Sequence, residues 1–166
     1  MASGDTLVVF TPLSNEPPST IYATLDTRNG HPVLDFDGAA DEEAVFTAML
    51  PRSYIGGGLT VYLHVAFTSA TSGSAYWQAA IERIDDASLD IDADSFASFV
   101  GAAGNPNATS GKTTLVTLTF SSGAAMDSLA AGEMFRLKVR RDADGSAGTD
   151  DVTTDAELVL VEVKET

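Results

Sequence analysis

Apolar residues recur at every second position along most of this chain. The clearest runs are Leu59-Thr-Val-Tyr-Leu-His-Val-Ala-Phe67, Thr114-Leu-Val-Thr-Leu-Thr-Phe120 and Glu133-Met-Phe-Arg-Leu-Lys-Val-Arg-Arg141. Successive side chains of a strand point to opposite faces, so this period predicts half-buried antiparallel strands. Gly, Pro, Asn and Asp separate the runs. The pattern predicts strands over 6–11, 21–27, 32–37, 43–50, 59–68, 75–84, 88–92, 113–121, 133–141 and 156–164. That series fits an all-β antiparallel sandwich of the jelly-roll type, with one or two extra edge strands. A sandwich with another Greek-key order is the competing architecture.

Two stretches interrupt the rhythm. Residues 94–111 open with Asp-Ser and dissolve into Gly, Asn and Pro, which predicts one short helical turn and a long exposed loop. Residues 124–132 predict a short turn or 3₁₀ element crossing between sheets, with Met126 and Leu129 as an apolar plug. The prolines of 12–20 predict an extended, polyproline-like segment. The domain division is therefore an N-terminal arm over 1–20 and a single sandwich over 21–166.

Composition narrows the chemistry. The chain has 166 residues, enough for one core without staples. It has no cysteine, which excludes disulfides, thiolate metal sites and Cys nucleophiles. The N-terminus lacks a basic region before its four-residue apolar run, so no signal peptide is expected. No apolar run approaches the ~18 residues of a membrane helix, and no membrane partner is expected. With 24 acids against 9 bases the net charge is −15, which repels phosphate backbones and argues against nucleic acid. Arg136, Lys138 and Arg140 alternate on one strand and should share a face. Glu157, or Asp85 and Asp86, are the expected partners of that stripe.

Catalytic signatures are missing, and the chain is not expected to be an enzyme. There are two histidines, His31 and His64, no Gly-x-Ser-x-Gly elbow and no phosphate loop. Gly56, Gly57 and Gly58 precede a strand and read as a flexible lead into it. Asp35 and Asp37 share a strand face, the arrangement a carboxylate-pair glycosidase needs, but wet sheet faces commonly carry such pairs. Asp90, Asp92 and Asp94 have Asp-x-Asp-x-Asp spacing, and Asp142 and Asp144 form a second acidic turn. Both offer oxygens to Ca²⁺, though Ser95 and Gly101 stand where an EF-hand needs Gly and Glu. No other cofactor is expected. Trp77 and the four tyrosines are scattered among core positions, which disfavours a sugar-stacking platform.

Residues 22–37 (Tyr-Ala-Thr-Leu-Asp-Thr-Arg-Asn-Gly-His-Pro-Val-Leu-Asp-Phe-Asp), Glu43-Ala-Val-Phe46, 51–61 and the tail 155–166 together resemble small jelly-roll virion proteins of tailed bacteriophages, of the capsid decoration or cement type. The resemblance implies a non-enzymatic protein on the outside of an assembled head, made in the bacterial cytoplasm. It implies two partners, the major capsid protein and further copies of the chain, with a homotrimer favoured over a dimer. Leu13, Asn15, Glu16, Pro17 and Pro18 are the expected contact residues. Arg28, Arg52 and Tyr54 come second. The alternative is a carbohydrate- or receptor-binding module of a tail fibre or spike.

Overall fold

The computed structural model describes residues 4–166. Among the described residues ten strands follow one another: β1 (Thr6–Phe10), β2 (Thr24–Arg28), β3 (His31–Phe36), β4 (Glu42–Met49), β5 (Leu59–Phe67), β6 (Tyr76–Ile84), β7 (Val100–Ala103), β8 (Thr114–Phe120), β9 (Met134–Arg141) and β10 (Ala156–Glu165). They form two antiparallel sheets packed face to face. The first has the order β2-β3-β10-β5-β8, and β1 also pairs with β10. The second has the order β4-β9-β6-β7.

β3 and β1 lie end to end along one side of β10, opposite Ala156–Leu158 and Val161–Lys164 respectively. β10 spans both because a register shift between Leu158 and Leu160 inserts one extra residue. A bulge resets the phase of a strand. Ala156 and Leu158 therefore face the core before it, and Val161 and Val163 after it.

The core is the set of alternating residues that the sequence marks. Leu59, Leu63 and Phe67 of β5 and Val116, Leu118 and Phe120 of β8 meet Trp77, Ile81, Phe135 and Leu137 of the second sheet. Phe36 meets Trp77 edge-on at 5.2 Å, and Phe10 stacks on Phe46 at 5.1 Å. Edge-to-face and offset stacking add to the area term of such pairs. Met126 and Leu129 are buried beside a 3₁₀ turn at Ala124–Met126, the plug that 124–132 predicts.

Three expectations are corrected. Residues 88–92 are not a strand: Asp90 accepts from the backbone N–H of Ala93 and of Asp94 through its carbonyl, and from that of Asp92 through its side chain. Such Asx turns compete with strand pairing, and Ile91 is left exposed. The strand of this region is β7 instead, inside the expected loop, where Val100–Ala103 pair with Tyr76–Ala79. The helical turn expected near residue 94 is absent, and the other 3₁₀ turn is Pro12–Ser14. The segment expected as an N-terminal arm over 1–20 is not separate from the sandwich over its described part, because β1 is built into the first sheet.

Candidate docking surface

The chain after β1 closes the edge of β4. Glu16 N–H donates to the Val45 carbonyl at 2.7 Å, and Val45 N–H donates to Asn15 Oδ1 at 3.0 Å. Further along, Glu43 N–H donates to the Ile21 carbonyl and Ala23 N–H to the Glu43 carbonyl. Unpaired edges invite intermolecular pairing, and covering them is a standard protection. Asn15 and Glu16 are thus spent holding the molecule together, and Glu16 also accepts from the Thr47 hydroxyl at 2.8 Å.

This anchoring has a side effect. Ile21 adopts φ +51°, in the left-handed region. A β-branched residue there costs ~1–2 kcal/mol. The anchors on either side of the Ile21–Tyr22 step hold it, and both side chains are turned outward, 55% and 50% exposed. Nearby, Leu13 is 68% exposed and Leu25 is 52% exposed. Leu25 sits opposite the core residue Leu34, so it is on the inner face of the first sheet. It is nonetheless half exposed, because β2 overhangs the second sheet. Pro12, Leu13, Pro17, Tyr22 and Leu25 line one cleft of about 240 Å³. Asp26 and Glu16, both exposed, neighbour it in the chain.

Of the expected contact residues, Leu13, Asn15 and Pro17 therefore share one surface. Pro18 is half-buried beside it. The sequence did not single out Tyr22 and Leu25 as partners of this group. Arg28 points elsewhere: it pairs with Glu157 and donates to the Phe67 carbonyl. Arg52 is exposed on the β4–β5 loop, lying over Gly132. Tyr54 is a correction. It is buried, and its hydroxyl donates to the Gly57 carbonyl at 3.1 Å, so it belongs to the fold.

The acidic turns separate. Asp90, Asp92 and Asp94 spend oxygens on their own turn: Asp92 N–H bonds to Asp90, and Ser95 N–H to Asp94. Among the described residues, Asp41, Asp142 and Asp144 bring ligand-type oxygens within 4.8 Å of one another. Asp41 was not foreseen, since it lies about a hundred residues upstream. Burial works against the Asp142 charge, but N–H donors from Ala147 and Gly148, the Ser146 hydroxyl and nearby Arg140 outweigh it and hold its carboxyl below the usual range.

The basic stripe is paired within its own sheet. Arg136 meets Glu82 at 2.8 Å, Lys138 meets Glu43 at 2.8 Å, and Arg140 meets Asp41 at 3.5 Å. These partners replace Glu157, Asp85 and Asp86 of the sequence expectation. Phe96 lies over Arg136 and Lys138, and Phe99 over Arg140, so the 96–99 segment covers this face.

The outer face of the first sheet carries the opposite charge. Asp35 lies across from Glu157 and hydrogen-bonds Asp26. Burial first, then the neighbouring charges of Glu157, Asp26 and Asp155, push the Asp35 carboxyl up from 3.8 to about 6. A folded-state value above the unfolded one means stability present at low pH that is lost as pH rises through about 3.8–6. Asp35→Asn is expected to raise Tm by about 2–4 °C at pH 7.5 and to leave it nearly unchanged at pH 4. Scanning calorimetry at the two pH values checks this. Beside this cluster, Arg28, His31, Glu157 and Val159 surround a groove of about 450 Å³ floored by Val33 and Ala66.

No family model matches the sequence. No curated protein matches it. Among solved structures, the sandwich is similar to the Clostridium thermocellum N-terminal endo-1,4-beta-D-xylanase 10B, CBM22-1–GH10 modules complexed with xylohexaose. The TM-score is 0.52 at 12% identity, over 99% of this chain and 29% of that one. This chain thus spans less than a third of the xylanase chain. It is also similar to carbohydrate binding module CBM6cm-2 of Cellvibrio mixtus lichenase 5A in complex with cellotriose, at TM-score 0.51 and 10% identity, over 98% of this chain and 99% of that one. A structure of the infectious bursal disease virus Gt strain matches at TM-score 0.37 and 14% identity, over 99% of this chain and 33% of that one, too distant to carry an argument. At these identities the likeness shows the fold alone, a jelly-roll β-sandwich.

Proposed function

We propose that this chain is a non-catalytic virion protein that decorates the outside of a bacteriophage head by docking on the major capsid protein. The observation that carries the reading is the exposed apolar group of Leu13, Tyr22 and Leu25 around one cleft, on a chain of net charge −15. Apolar side chains gathered around a cleft and rimmed by charge mark protein contact surfaces. Three copies around a local three-fold position would match the symmetry of a capsid lattice.

The test is co-sedimentation with shells assembled from the major capsid protein of the same genome. The wild-type chain is expected to saturate the shells at a fixed whole-number ratio to the shell subunits. Leu13→Asp combined with Tyr22→Asp is expected to weaken binding at least ~100-fold, as removing a central apolar anchor pair does. Unchanged binding of the double variant would reject this surface.

A second reading rests on the groove between Arg28, His31 and Glu157. Its polar rim and apolar floor suit a hydroxyl-rich ligand, and the cellotriose complex of the Cellvibrio module shares the fold. Against it, no Trp, Tyr or Phe side chain lines the groove, and Trp77 and Tyr54 are buried. Saturable glycan binding abolished by Glu157→Gln would favour this reading over the first.

A further inference from the structure

We infer that the free edge of β2 receives an extended segment of another protein by strand addition, and that this segment alternates apolar and basic side chains. The inference rests on the docking reading above and deepens it, by stating what the partner must present.

The edges of the sandwich differ in how they are finished. β4 is closed by 15–23. β7 and β8 come together where the sheets meet, so closely that a β-carbon on Gly104 would strike Val116. β2 pairs with β3 over Thr24–Arg28, in continuous register, and among the described residues no backbone group pairs with its other side. Thr24, Leu25, Asp26 and Thr27 are all exposed. The strand carries no proline or bulge, and the Arg28 side chain is folded onto Glu157. Strand addition to such an edge takes its affinity from main-chain bonds and its specificity from alternate side chains.

The two faces of β2 set that alternation. On the inner face, Leu25 continues into the cleft with Leu13 and Tyr22, which accepts apolar side chains. On the outer face, Asp26 bonds Asp35, and Asp35 lies opposite Glu157. Three carboxylates there face the single guanidinium of Arg28, so a Lys or Arg at alternate partner positions meets opposite charge. A second copy of this chain fits poorly. Antiparallel pairing of Thr24–Arg28 with itself in full register sets Asp26 directly against Asp26, and like charges in that position destabilise.

The probe is a fluorescent seven-residue peptide, Lys-Val-Lys-Leu-Lys-Val-Lys, blocked at both ends, titrated into the purified chain. Its controls are the same composition with all lysines first, and Glu-Val-Glu-Leu-Glu-Val-Glu. The alternating basic peptide is expected to bind at least ten-fold tighter than either control. Binding is expected to slow hydrogen exchange at amides of 24–28. Leu25→Asp should weaken it at least ten-fold, and Asp26→Lys should shift preference toward the Glu peptide. Equal binding of the lysine-first control, or protection elsewhere on the chain, overturns the inference. Loss of shell binding in the Leu13/Tyr22 double variant with no peptide binding rejects strand addition and keeps the docking surface. Peptide binding at β2 with shell binding intact in that variant does the reverse.

Discussion

Arg141→Ala is expected to destabilise the fold by roughly 3–5 kcal/mol. Arg141 is wholly buried, and every N–H it has is used. Nε and Nη2 bond the two oxygens of Asp150 at 2.9 Å each. Nη1 donates to the carbonyls of Thr154 (2.8 Å) and Asp37 (3.3 Å), and Nη2 donates again to the Val152 carbonyl. One guanidinium thus ties the end of β9 to the 150–154 loop and to the chain leaving β3. Removing it strands a buried carboxylate and three carbonyls at once. At this chain length the loss corresponds to a fall in Tm of roughly 6–20 °C. Arg141→Lys is expected to recover little, because an ammonium cannot reproduce the planar fork. Arg141→Leu with Asp150→Leu should cost less than Arg141→Ala, since no charge is left unpaired. Urea denaturation of the three variants measures this. A loss under ~1 kcal/mol for Arg141→Ala would show that the hub is not structural.

Trp77→Ala is expected to cost roughly 3–5 kcal/mol by a different route. Trp77 is fully buried near the start of β6, edge-on to Phe36 of the opposite sheet. It fills the space that Gly104 leaves, where a β-carbon would lie 2.8 Å from its ring. Truncation opens a cavity between two sheets that cannot collapse without moving whole strands. Its indole N–H is buried and has no partner among the described residues. Trp77→Phe deletes that orphan donor and keeps an aromatic ring, so it should cost no more than about half as much. Equal losses for the two variants would mean that a phenyl ring recovers none of the packing, against this account.

Period-two patterning was a good guide wherever one strand face is packed. β8 and β9 read cleanly because Leu, Val and Phe alternate there with Thr, Lys or Arg, and β5 because Leu, Val and Phe hold every second position. It misled at 88–92, where Leu89 and Ile91 alternate with Asp90 and Asp92 but the carboxylates draw the backbone into turns. It missed β7, because Val-Gly-Ala-Ala carries almost no amphipathic contrast. The small residues there are explained by what they touch. A β-carbon on Gly101 would sit 2.6 Å from the Tyr76 ring, a contact no local pattern contains.

The docking surface was only half legible. Leu13 and Pro17 stand out in a proline-rich stretch, but Leu25 alternates like any core residue. Only the overhang of β2 beyond the second sheet shows that it is exposed. Asn15 and Glu16 looked free for a partner, and the edge of β4 takes them instead. The same limit applies to charge. Composition gave the excess of acids, while the pairing of Lys138 with Glu43 and the crowding of Asp26, Asp35 and Glu157 depend on which strands are neighbours.

The central claim is that the Leu13–Tyr22–Leu25 surface holds this chain on a capsid. Saturation co-sedimentation with purified shells, wild type beside the Leu13→Asp, Tyr22→Asp variant, tests it most directly. The account predicts a fixed ratio of chain to shell subunit for the wild type and at least a ~100-fold weaker isotherm for the folded variant. Identical isotherms, or no sedimentation of the wild-type chain at any concentration, would contradict it.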